Sequence, residues 1–154
     1  MENNVLTENR HGTAKRAIKF LEDKKVGFKE PDPEERQNLL IAFAKKNKAI
    51  HGKAFDIIKV KGKGINLKDP DELAKNLDKI IVYEVKSTNR ESVEKRFKNY
   101  FFTLTTAELL VAQSLKKNFK FIFVNIKTGD TLELTLNEIF KKSRGIYPVW
   151  SIRF

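Results

Sequence analysis

Lys79-Ile80-Ile81-Val82-Tyr83-Glu84-Val85-Lys86-Ser87 is the stretch that decides how the rest of the chain is read. Its β-branched and aromatic residues favour a strand, and a strand sends successive side chains to opposite faces. Ile80, Val82, Glu84 and Lys86 therefore share one face, while Ile81, Tyr83 and Val85 share the other. A carboxylate and an ammonium leave the same face of one strand, side by side.

Upstream, the period of two returns at Phe55, with Asp56, Ile58 and Val60 on one face and Phe55, Ile57 and Lys59 on the other. Between the two strands lies an excursion, residues 61–78, that contains Gly62, Gly64, Pro70 and a short helical stretch over 71–77. Such an insertion lets the two strands pair, which would bring Asp56 beside Glu84. Hydrolysis of a phosphodiester requires charge neutralisation at the phosphate and hydroxide near neutral pH. A hard divalent cation held by carboxylates meets both needs. Asp56 and Glu84 are the candidate ligands, the Val85 carbonyl oxygen is a third donor, and Lys86 supplies a positive charge to the water or the phosphate.

The flanking segments alternate helix and strand. Ala14, Ala17, Ile18 and Leu21 fall at helical spacing, which predicts a helix over 13–25 stopped by Gly27. Asp32 as cap, Pro33 at the first position and Glu35 at the third open a second helix ending near Asn47. Thr105 and Glu108 form a capping box ahead of Leu109, Leu110, Val111 and Leu115, and Thr135 and Glu138 repeat it before a short last helix. Residues 119–126 are apolar on both faces, as in a central strand covered on both sides, and Thr128-Gly129-Asp130 turns into a strand over 131–134. Residues 146–154 look strand-like, with Pro148 confining them to a sheet edge or a bulge. The order predicts one α/β domain with a central mixed sheet flanked by helices.

Composition narrows the chemistry further. The 154 residues suit a single domain that buries about two thirds of its unfolded surface. With no cysteine and two histidines, disulfides, zinc-thiolate sites, cysteine nucleophiles and His-rich metal sites are excluded. No apolar run is long enough to span a bilayer and the first residues lack the pattern of a signal peptide, so the expected compartment is the cytoplasm, without a membrane partner. Thirty-one Lys and Arg against 20 Asp and Glu give +11, a balance that favours a polyanionic partner. The same lysine-rich usage also arises from an AT-biased genome.

Phe-Asp-Ile at 55–57 followed by Tyr-Glu-Val-Lys-Ser-Thr at 83–88 resembles the PD-(D/E)XK, or restriction-endonuclease-like, nucleases. The resemblance covers about residues 13–126, and Phe-Phe-Thr-Leu-Thr-Thr-Ala-Glu-Leu at 101–109 is similar to small restriction-like domains in which a capped helix follows the Glu-x-Lys strand. It implies a restriction-endonuclease-like core and a Mg2+-dependent DNA endonuclease, with Mn2+ able to substitute and no small-molecule cofactor. Asp56 and Glu84 would be metal ligands, and Lys86 the catalytic lysine. Phe55 stands where the motif usually has proline. The further acid that the family takes from its first helix has three candidates, Glu22, Glu34 and Glu35, of which the last two also read as first-turn helix acids.

Lys59, Lys61 and Lys63, with Arg90, Lys95 and Arg96, are candidate phosphate contacts; a solvated charged face is the competing reading. Glu108 and Glu138 read as capping-box members rather than catalytic acids, His51 as a loop residue near Asp56, and Tyr147 and Trp150 as cover for the sheet edge. Cutting both strands of a duplex needs two active sites or two sequential nicks, so a homodimer is expected. Two other readings stay open: a structure-selective nuclease acting on branched DNA, and a non-catalytic DNA-binding module.

Overall fold

The computed structural model describes the backbone over residues 2–154 and the side chains from residue 12 onward. Five strands form one mixed sheet in the order β1 to β5: Phe28–Lys29, Ile57–Val60, Ile80–Thr88, Phe119–Asn125 and Thr131–Leu134. β1, β2 and β3 pair antiparallel, β3 and β4 parallel, and β4 and β5 antiparallel. A parallel pair needs a long crossover. α4, Thr106–Leu115, supplies it between β3 and β4. The other helices are α1 (Glu2–Asp23), α2 (Pro33–Lys45), α3 (Pro70–Lys75) and α5 (Leu136–Lys142).

The alternation expected of β3 sorts the core into two layers. Ile81, Tyr83 and Val85 meet Ile57, Ile122 and Val124 under Ala17, Ile18 and Leu21 of α1. On the opposite face Ile58, Ile80, Val82, Phe119, Phe121 and Phe123 pack against Leu39 and Phe43 of α2, Leu73 of α3, Val111 and Leu115 of α4 and Ile139 of α5. β4 is covered on both sides, as its apolar residues on both faces predict, with Lys120 alone reaching out to Glu133. Among the described residues no helix is long and apolar enough to cross a membrane.

Several boundaries differ from the sequence expectation. α1 begins at Glu2 rather than near Thr13. β1 has two residues, too few for any alternation to register, and it docks where Gly27 lets the chain close on β2. Gly27 has φ +97°, and a Cβ there would stand 2.8 Å from the Val60 carbonyl oxygen. Residues 146–154, all described, form no strand. Pro148 removes a ladder donor there, and Tyr147 and Trp150 are 73% and 88% exposed, so neither covers the sheet edge.

The capping boxes at the starts of α2, α4 and α5 are all formed. Thr105 accepts from the Glu108 N–H at 3.1 Å. Thr105→Ala removes that bond alone and is expected to cost about 1 kcal/mol in urea unfolding.

Candidate active site

Glu84 and Lys86 point from β3 into the layer beneath α4, opposite Phe121 and Phe123 of β4 in the ladder. Lys86 Nζ donates to Glu84 Oε1 at 3.2 Å and to Glu108 Oε2 at 2.8 Å. All three side chains are 13% exposed or less. Glu108 sits at the third position of α4, and its Oε2 also accepts from the Thr105 N–H at 3.2 Å. The capping position thus aims a second carboxylate at the lysine. The sequence reading of Glu108 as a capping residue holds, but it omitted this second contact.

Asp56 joins from the neighbouring strand. The β2–β3 register ends at Ile57 opposite Tyr83, so Asp56 stands one residue before β2 rather than inside it. Its N–H still donates to the Tyr83 carbonyl at 2.8 Å. Beyond that point Asp56 Oδ2 accepts from the Val85 N–H at 2.8 Å, in the place of a ladder partner. The Val85 side chain meanwhile packs into the α1 layer. One peptide unit of β3 therefore fixes the Asp56 carboxylate next to Glu84.

A second support comes from α2. Arg36 Nη1 donates to the carbonyls of Gly52 and Phe55 at 2.8 and 2.7 Å, and Nη2 donates to the Asp56 carbonyl at 3.1 Å. Its guanidinium lies 4.4 Å from the Phe55 ring centroid. The planar fork holds three carbonyls at once, which a lysine cannot copy. Arg36→Lys is accordingly expected to cost about 2 kcal/mol in urea unfolding, because an ammonium cannot serve all three carbonyls at once.

The electrostatics of the cluster are lopsided. Two carboxylates, Glu84 and Glu108, contact one ammonium, and a third, Asp56, acts on Glu84, leaving −2 when all are ionised. Burial first, then Asp56 and Glu108, push the Glu84 carboxyl up to about 9, against the pull of Lys86. For Lys86, burial works to lower the ammonium, but Glu84 and Glu108 outweigh it and hold it above its ordinary value. Among the described residues no group of three or more His, Cys, Asp and Glu forms a ready cage for a metal ion. Mg2+ does not need one: it is commonly held by one or two carboxylates plus waters and substrate phosphates. Asp56 and Glu84 are hard oxygen donors of that kind, and a divalent cation would offset the surplus charge, so the residues present fit the ion.

Comparison with protein-family models, curated proteins and solved structures finds no match.

The remaining candidates separate into those near the cluster and those away from it. Glu22 accepts from the Glu30 N–H, Glu34 pairs with Lys68, and buried Glu35 pairs with Lys29 while completing the α2 capping box. None of the three is among the groups that act on Glu84; the third carboxylate comes instead from α4. His51 is exposed, and its Nδ1 accepts from the Lys53 N–H at 3.2 Å. Glu138 caps α5 only.

Lys59, Lys61 and Lys63 lie at the far end of β2 from Asp56, where Val60 pairs with Ile80. Lys59 leans over the Phe28 ring. Arg90, Lys95 and Arg96 follow β3 at the Lys86 end and are exposed. Tyr100, which the sequence did not single out, donates from its hydroxyl to the Ser87 carbonyl at 3.3 Å. Burial raises that hydroxyl, while Arg90 and Lys86 pull it down, which places it between the cluster and Arg90.

Proposed function

We propose that the protein is a Mg2+-dependent DNA endonuclease with a PD-(D/E)XK active site. The observation that carries the reading is the buried Asp56–Glu84–Lys86–Glu108 cluster on two adjoining strands and one helix. The mixed sheet flanked by helices, with α4 crossing between β3 and β4, supplies the coarse α/β frame on which such a site would sit.

Asp56 and Glu84 would hold the ion, with the Val85 carbonyl oxygen as a further donor. When bound, the ion supplies charge neutralisation at the phosphate and a more acidic water. Lys86 keeps its proton between two carboxylates and presents a fixed positive charge to the attacking water or the non-bridging phosphate oxygen. Such preorganised charge in a water-poor site is the larger part of many rate enhancements. Glu108 positions that ammonium. Arg90, Lys95 and Arg96, exposed beyond the Lys86 end of β3, would contact backbone phosphates.

Incubating supercoiled plasmid with the protein in Mg2+ or in chelator tests the reading. Nicked and linear forms are expected with Mg2+ only, and Asp56→Asn is expected to lose both. Cleavage that persists in chelator would remove the case for a metal nuclease.

A further inference from the structure

At the opposite end of the sheet, where β3 and β4 begin, α2 and α3 end around a cleft of about 310 Å³. Lys46, Lys48 and Lys75 line it above Phe43 and Leu77, with Asp78 as the acid in its wall. Three ammonium groups against one carboxylate leave +2. Among the described residues none of the three lysines is in an ion pair. Asp71, one turn before Lys75, is paired with Lys45.

The excess extends past the cleft itself. Segments 45–48, 75–79 and 116–118 carry seven lysines and one acid. Lys61 adjoins them through its N–H, which donates to the Lys79 carbonyl at 2.8 Å. The floor is tied together by Asn118, whose Nδ2 donates to the Leu77 and Ile80 carbonyls at 2.6 and 2.9 Å. Helix C-termini favour Lys46 and Lys75 on their own account. The C-terminus of α4 likewise favours Lys116, but no helix end accounts for Lys61, which lies beyond β2.

We propose that this lysine-lined cleft is a second nucleic-acid contact, holding backbone phosphates away from the catalytic cluster. The charge is spread over four segments, more than a single small anion would meet. It is all lysine, which offers point charges rather than the planar fork that reads a particular carboxylate or phosphate geometry. Such a surface suits a repeating polyanion held without regard to sequence. Six strand residues separate Ile80 from Lys86, about 20 Å, or about six base pairs of duplex. One bound duplex can thus touch both ends of the sheet. The inference rests on the DNA part of the reading above and not on cleavage.

Duplex binding is measured by fluorescence anisotropy in chelator across a salt series, for wild type and for the combined Lys46→Gln, Lys48→Gln, Lys75→Gln variant. A combined Lys15→Gln, Arg16→Gln, Lys19→Gln variant on α1 removes the same charge elsewhere, and melting temperatures confirm that all three proteins fold. With about 0.9 of slope per phosphate contact, the cleft variant is expected to lower the salt slope of log K by about 2.7, and the α1 variant by less than about 1. An unchanged slope in the cleft variant, an equal drop in the α1 variant, or no salt-sensitive binding by wild type overturns the proposal. Salt-sensitive binding lost in the cleft variant, beside a wild type that never cuts in Mg2+, leaves the cleft standing and removes the nuclease reading instead.

Discussion

Replacing Lys86 by Ala is expected to slow Mg2+-supported plasmid cleavage about 10³-fold, the size of effect seen when one preorganised charge donor is removed from a site of this kind. Among the described residues Lys86 is the one cation in contact with Glu84 and Glu108, at 3.2 and 2.8 Å, and all three side chains are largely shielded from water. Its removal also leaves two buried carboxylates without their counter-charge, so loss of activity alone would not separate chemistry from folding. Lys86→Arg makes the separation. Arginine restores the positive charge between the carboxylates, so the melting temperature should stay near that of wild type. Its wider fork cannot put a compact ammonium at the same point. Cleavage by the arginine variant should therefore remain at least about tenfold below wild type. Equal cleavage by wild type and Lys86→Ala would sink the role assigned to this lysine.

What was legible in the chain follows from how local each signal is. β3 could be read because its nine residues open on a run of β-branched and aromatic side chains, and the period of two then puts Glu84 and Lys86 on one face. The capping boxes were legible because each is written in four consecutive residues. β1 was not, since two residues carry no period, and its pairing depends on a close approach at Gly27. Residues 146–154 carry the apolar pattern of a strand without taking up a ladder, because pattern describes a face and not the neighbour it needs.

The site divides in the same way. Asp56, Glu84 and Lys86 were found from strand spacing. The contact from Glu108 to Lys86 spans 22 residues and depends on how α4 lies over the sheet, which no spacing rule contains. Arg36 reaches the Asp56 carbonyl across 20 residues for the same reason. Lys59, Lys61 and Lys63 were grouped with the site by nearness in sequence. The antiparallel ladder carries them away from it, towards the lysine-lined cleft.

The strongest pH effect should come from Glu84 and should reverse with metal. Its carboxyl is raised from an ordinary 4.5 to about 9 in the folded protein, so between those values the folded state holds a proton that the unfolded state has released. Stability then falls as pH rises: the contribution is fully present below about 4.5 and is lost as pH climbs through about 9. For a side chain this buried the change should be on the order of a few kcal/mol across the window. Glu84→Gln is neutral at every pH, so its melting temperature in chelator should be flatter than wild type above pH 6 and higher at pH 8. Mg2+ offers the ionised carboxylate the counter-charge it lacks and binds only the folded form, so it should raise the wild-type melting temperature more at pH 8 than at pH 5.5. It should raise that of Glu84→Gln little at either. Parallel pH profiles of wild type and Glu84→Gln in chelator would mean that Glu84 carries no such burden, and a Mg2+ shift of equal size in both proteins would remove it from the metal site.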